Sequence, residues 1–218
     1  MSPFSNRIYY GYWIVVAGFV TQFIAVGMTN YVVGSFMIPM TEEFNWTRAE
    51  FTASRSLGQI VIAVTGFIIG THIDRYGGRP FVIVGAFLLA GATFSLGSIN
   101  TLVEWWALNG LILTIGAAMV GNLVINVSLG KWFVERRGRA VAIAGMGISL
   151  GGIILPPTAT WLVDLFGWRE AWRLMGMAAF LITLPMAALV RRKPEDYHLH
   201  PDGKSQAEID AGYGDSAR

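Results

Sequence analysis

Apolar positions gather into six runs. They lie at 12–38, from about Phe51 to Gly70, at 81–98, from Ala107 to Gly130, between Arg139 and Asp164, and at about 174–190. Short polar segments separate them, and the runs are roughly 17–25 residues long, the length at which a helix crosses a hydrocarbon layer of about 30 Å. The first run is too long for a signal-peptide core and lacks a small-residue cleavage site, so it reads as a spanning helix. Trp13 and its neighbouring tyrosines anchor the starting end, and Pro39 with the polar stretch 41–48 is expected to break the run.

The remaining runs differ in texture. In the second, Gly66 and Gly70 stand in the small-xxx-small spacing that lets helix backbones approach closely. The third carries little besides Gly85, Gly91 and Gly97 and reads as lipid-facing scaffold. The fourth has no charge from Ala107 to Gly130, with Asn122 and Asn126 one turn apart. The fifth holds Gly145, Gly147, Gly151 and Gly152 ahead of Pro156 and Pro157, and such thinned side chains must pack on protein. A turn around Gly167 leads to the sixth run, which Arg191-Arg192-Lys193-Pro194 ends; from 195 the chain is polar and expected to be disordered.

Composition agrees with this pattern. The 218 residues are 54% hydrophobic and 14% charged, where soluble domains carry about 25% charge. A net charge of +2 implies no nucleic-acid partner, and the absence of cysteine excludes disulfides and thiolate chemistry. The histidines, His72, His198 and His200, sit in a loop and a tail and suggest no metal or cofactor. Basic residues favour one set of loops and ends: Arg7, Arg75, Arg79, Lys131, Arg136, Arg137, Arg139, Arg191, Arg192 and Lys193, against Arg48, Arg169 and Arg173 on the other. Ten against three places both termini in the cytoplasm of a multi-pass inner (plasma) membrane protein.

The loop between the second and third runs is the most distinctive stretch. Gly70-Thr-His-Ile-Asp74-Arg75-Tyr-Gly77-Gly78-Arg79-Pro80 reads G-x3-D-R-x-G-x-R. It resembles the loop after the second helix of the major facilitator superfamily, in the form of its oxalate/formate and monocarboxylate carrier branch. Lys131-Trp-Phe through Arg137-Gly138-x-Ala140, Gly167-Trp-Arg-x-Ala171 and the tail Arg191 to Gly203 are similar to further loops of that branch, in register around all six runs. The resemblance implies an all-α membrane protein, a major-facilitator-type half-bundle of six transmembrane helices in a 3+3 repeat. Residues 1–11 would be a cytoplasmic N-terminus, 12–190 the transmembrane domain, and 191–218 a cytoplasmic tail equivalent to a full carrier's central loop.

The same resemblance implies a secondary transporter, not an enzyme, present as the amino-terminal half and moving a small organic anion such as a mono- or dicarboxylate. Its partners would be that solute, the lipid bilayer, and a second six-helix half or another copy of the chain. A non-transporting, partner-binding membrane subunit is the alternative. The fourth run lacks the arginine and the first the lysine that many proton-coupled or monocarboxylate members carry, so neither property is carried over.

Candidate substrate-binding residues are Gln22, Asn30, Arg55, Gln59, Asn122 and Asn126. An ionisable group inside a span is costly and points to function, with an anion the natural ligand for Arg55. Arg55 also admits a second reading, as an interface anchor paired with Glu50 or Asp164. For the amides the competing role is interhelical hydrogen bonding, about 0.6–2 kcal/mol each. The family places a cytoplasmic gate on Gly70, Asp74, Arg75, Gly77, Arg79 and Arg137. Gly147-Ile-Ser149-Leu-Gly151 fits a hydrolase elbow only in outline, since no strand precedes it.

Overall fold

The computed structural model describes residues 9–197 and 199–204, with Asp74 by its backbone only. Helix α1 is Gly11–Phe44, α2 Arg48–Tyr76, α3 Arg79–Leu96 and α4 Leu102–Trp132. A fifth continuous stretch, Arg137–Leu189, has 53 residues. As one straight helix it would measure about 80 Å, far more than a membrane. Gly167, at φ 77° and ψ 162°, breaks it into arms 137–166 and 168–189, termed α5 and α6.

Contacts at the two ends fix the course of the chain. At one end the Tyr10 hydroxyl donates to the Leu189 carbonyl (3.2 Å), the Trp132 indole to the Arg191 carbonyl (3.3 Å), and Gly77 lies on Arg192. At the other the Trp168 indole donates to Glu43 (2.6 Å), Arg169 pairs with Glu43, and Gly97 lies on the Arg169 carbonyl. The helices α1 to α6 of the described residues therefore run alternately up and down. Of the ten basic residues grouped by the sequence, Arg7 and the other residues before Tyr9 lie outside the described residues; the rest all fall at the Tyr10 end, here the basic end.

Local chemistry sets the turns. Thr47 caps α2 and Thr101 caps α4, each in a reciprocal capping box with a glutamate three residues on. Asn45, in the left-handed region, ends α1, and Gly77 at φ 80° ends α2 ahead of Pro80. Pro39 does not break the first run as expected: α1 continues through it to Phe44. Prolines inside membrane helices are tolerated where neighbours satisfy the freed backbone groups.

Glycines place the helices, though not where the second run suggested. Gly66 meets only a Leu123 methyl and Gly70 meets nothing within 4 Å, so that pair makes no close backbone approach. The close approaches are Gly147 and Gly151 of α5 on the Phe19 and Phe23 carbonyls, Gly85 of α3 on Gly116, and Gly176 of α6 on Phe94. Helix α3 is accordingly no mere lipid-facing scaffold: Val82, Ala86, Leu89 and Leu96 are buried between α4 and α6, and its other face is exposed. Two apolar clusters fill the bundle. The one toward Glu43 is built on Phe36 stacked against Trp172 (centroids 3.8 Å) and Phe51 against Trp105 (4.5 Å). The one at the basic end holds Ile14, Val124, Trp132 and Val190.

The segment after α6 is ordered, contrary to the expected disorder, as far as it is described. Short 3-10 turns form at Pro194–Tyr197 and Pro201–Gly203. The buried Asp202 carboxylate accepts from the backbone N–H groups of Val134 (2.9 Å), Glu135 (2.9 Å) and Arg136 (3.3 Å), just ahead of α5. The Tyr9 hydroxyl bridges the carbonyls of Trp132 (2.9 Å) and His200 (3.1 Å). His198 and residues 205–218 lie outside the described residues.

Candidate functional site

Two adjoining cavities open between α1, α2 and α4. The first, about 170 Å³, is bordered by Thr29, Asn30 and Tyr31 of α1, Arg55 and Gln59 of α2, and Asn109 and Thr114 of α4. The second, about 250 Å³, runs on toward the basic end past Gly66, Ala118, Gly121 and Asn122. Thr29, Asn30 and Ile62 border both, so the two form one cleft.

The backbone is irregular where it meets this cleft. Gly27–Tyr31 in α1 and Trp106–Ile112 in α4 are π-helical turns, which project side chains from positions a regular helix would not offer. The first carries Thr29, Asn30 and Tyr31, and the second carries Asn109. Helix α4 is interrupted again at Gly121 (φ −87°, ψ −148°), directly before Asn122.

Hydrogen bonds hold the polar lining in place. The Asn109 amide donates to the Ser54 hydroxyl (2.9 Å), which donates to the Phe51 carbonyl (3.0 Å). That carbonyl also receives the Trp105 indole (2.9 Å), tying α2 to α4 beside the first cavity. Thr114 donates to the Asn109 carbonyl (3.0 Å), and Asn30 donates to Thr29 (3.2 Å).

Arg55 stands apart from this network. Glu50, one of its suggested partners, is held by the Thr47 N–H (2.8 Å) and hydroxyl (2.7 Å) in the capping box. No hydrogen bond or ion pair engages Arg55 among the described residues, Asp164 included, and no carboxylate borders either cavity. An exposed guanidinium facing neutral amides and hydroxyls can receive an anion in bidentate geometry.

The other named residues sit differently. Asn30, Arg55 and Gln59 meet on the first cavity and Asn122 lies on the second. Gln22 is completely buried, borders neither cavity, and has both amide atoms without a partner; the Asn126 side-chain oxygen is likewise buried and unpartnered. Gly77, Arg75, Arg79 and Arg137 gather at the basic end, away from the cleft, with Arg75 over the Tyr76 ring (5.5 Å) and Arg137 against Gly130. Gly70, a turn before them, is half-buried, and the Asp74 side chain lies outside the described atoms. Sequence reading missed Ser54, Thr114 and Tyr31 as lining residues. Asn109, a lone amide in an apolar stretch, was not among the candidate residues either.

Known proteins share this fold. Residues 19–212 match the family model of the Major Facilitator Superfamily. The chain is 24% identical over 172 residues to the uncharacterised transporter YcxA of Bacillus subtilis, covering 78% of this chain and 42% of that protein. It is 30% identical over 173 residues to the fujikurins efflux protein of Gibberella fujikuroi (78% and 36%). It is 28% identical over 180 residues to human monocarboxylate transporter 6 (82% and 35%). A bacterial homologue of the human lysosomal transporter Spinster, in an inward-facing, unoccupied conformation, superposes with a TM-score of 0.71 at 16% identity, over 97% of this chain and 49% of that one. The chain thus spans half or less of the length of each of these proteins. The family match over most of its length and the shared fold agree: the chain belongs to the major facilitator superfamily, whose members are membrane transporters and not enzymes.

Proposed function

We propose that this chain is the first six-helix bundle of an alternating-access carrier for a small organic anion, of the mono- or dicarboxylate class. The observation that carries this reading is Arg55, a permanent cation without a partner among the described residues, facing a cleft whose other polar groups are neutral. Asn30 and Gln59 border the same cavity and supply hydrogen bonds to the remaining oxygens of a bound carboxylate, with Asn109 behind them. Gln22 and Asn126 serve as deeper groups reached through bound water, and Asn122 lines the path toward the basic end. Monocarboxylate transporter 6 carries that solute class in its name, which supports the assignment.

Six helices furnish one wall of such a site, and alternating access needs a second bundle to rock against the first. The partner is a separate second half or another copy of this chain. The weakly buried α2, with exposed Ile60, Val64 and Phe67, offers a surface for it. The basic end faces the cytoplasm of the inner membrane. There Gly70, Asp74, Arg75, Gly77, Arg79 and Arg137 close the inner gate.

The test is uptake into vesicles containing the chain with and without a second half, across a panel of carboxylates. Saturable uptake is expected only from the paired assembly, and Arg55→Gln lowers it tenfold or more. Uptake by a proven monomer overturns the half-carrier reading. Unchanged uptake in Arg55→Gln makes Arg55 an interface anchor. No uptake by any pairing leaves the chain a partner-binding subunit.

A further inference from the structure

A separate cavity of about 100 Å³ lies at the basic end between the first turns of α1 and α5. Its polar lining is Tyr12, Arg136 and Arg139, and its apolar lining includes Val15 and Ile143. The Arg136 guanidinium donates to the Tyr12 hydroxyl (3.4 Å). No acid or histidine borders the cavity.

The acids nearby are already engaged. Glu135 faces Lys204 (4.0 Å), and Asp202 is taken up by the backbone N–H groups of 134–136. Three further cations have carboxylates: Arg169 has Glu43, Arg173 has Glu170, and Lys193 has Asp196 (3.6 Å). Neither Arg136 nor Arg139 forms an ion pair among the described residues. Two guanidiniums and a hydroxyl thus converge on a small space without a counter-ion.

The surroundings indicate the kind of anion. On α5 the exposed Ile143 and Met146 follow Arg139 one and two turns further into the bundle, and the exposed Val16 follows Tyr12 on α1. This face turns from cationic to apolar within one helical turn, as at a boundary between lipid headgroups and acyl chains. We propose that the cavity binds the phosphate of an anionic phospholipid. Arg136 and Arg139 hold the phosphate oxygens, Tyr12 donates a further hydrogen bond, and an acyl chain lies over Val16, Ile143 and Met146. A free inorganic anion would use the cationic mouth but not the apolar continuation.

The chain, purified in detergent, is mixed with phosphatidylglycerol or phosphatidylcholine, and retained lipid is counted by native mass spectrometry. Phosphatidylglycerol is retained in preference. Arg136→Gln with Arg139→Gln lowers its affinity about tenfold or more, while Arg192→Gln with Lys193→Gln, the same loss of charge elsewhere at this end, does not. Should the first double variant fail to fold, Arg136→Lys with Arg139→Lys and, separately, Tyr12→Phe take its place. Both keep the net charge but lose forked or hydroxyl contacts, and both weaken retention. Four results overturn the proposal: parental retention by the Arg136/Arg139 variants, equal loss in the Arg192/Lys193 control, displacement by millimolar inorganic phosphate, or displacement by pairing with a second bundle.

Discussion

Gly147 of α5 lies directly on the carbonyl oxygen of Phe19 in α1: a methyl group built there would stand 2.1 Å from that oxygen. Two residues before it, Gly145 has nothing within 4 Å. The glycines of this helix therefore do unequal work. Gly147→Ala forces α1 and α5 apart and is expected to cost about 1–3 kcal/mol, as overpacking does. Gly145→Ala is expected to be neutral or to stabilise by up to about 1 kcal/mol through helix propensity. Thermal unfolding of both variants in one detergent separates them; equal midpoints would show that the contact is not tight.

Asn109 ties the π-helical turn of α4 to α2 through Ser54. Replacing it with alanine removes that bond, worth about 0.6–2 kcal/mol within a membrane, and frees Ser54 to keep its own bond to the Phe51 carbonyl. Stability is expected to fall by that modest amount. Transport by a paired assembly is expected to fall more, because the first cavity loses its back wall. A variant whose transport declines only in step with its folded fraction would assign Asn109 to packing alone.

Tyr9 supplies a pH-dependent term. Burial of its ring, reinforced by the negative charge of Asp202, raises the phenol pKa well above its ordinary value of 10.0. A raised folded-state pKa means that its stabilisation is complete below the ordinary phenol range and lost as pH climbs above it. The parent chain should therefore exceed Tyr9→Phe in stability at pH 7, by about 0.5–1.5 kcal/mol for the hydrogen bond, with the gap narrowing above about pH 10. Unfolding of both proteins from pH 7 to 11 measures this. A gap that stays constant or widens contradicts the burial argument.

The absence of cysteine makes orientation directly measurable. Single substitutions Thr71→Cys and Glu135→Cys lie near the basic end, and Thr101→Cys and Asp164→Cys near the other. An impermeant thiol reagent applied to intact cells is expected to label only the second pair. Labelling of Thr71→Cys, with Thr101→Cys protected, reverses the proposed topology.

Much of this fold can be read directly from residue pattern. Apolar length and the polar breaks marked the helices, and Gly77 and Gly167 stand at turns with positive φ that the glycine-rich loops had announced. Arg55 and Gln59, four residues apart, share the first cavity as their spacing requires. What escaped the sequence depends on contacts with distant neighbours. A π-helical turn has no composition of its own, so Thr29 to Tyr31 and Asn109 could not be aligned from a regular helical period. Pro39 stays helical through its surroundings, and Gln22 is buried although its polarity suggested a cavity. The Gly66–Gly70 spacing fits a close contact, yet among the described residues no helix backbone approaches it closely.

The Asp202 clamp carries a consequence in time rather than in space. Helix α5 has no side-chain cap at its own N-cap, Arg136. The N–H groups of Val134, Glu135 and Arg136, in the loop just ahead of it, instead meet a carboxylate that follows the sixth helix, 66 to 68 positions later. During synthesis the fifth and sixth helices both emerge ahead of that carboxylate. The loop ahead of α5 therefore spends the interval with its N–H groups turned to water or lipid headgroups. Arrival of Pro201-Asp202-Gly203 then acts as a closing signal, fastening the start of the fifth helix only in chains whose sixth helix has already returned to the basic end.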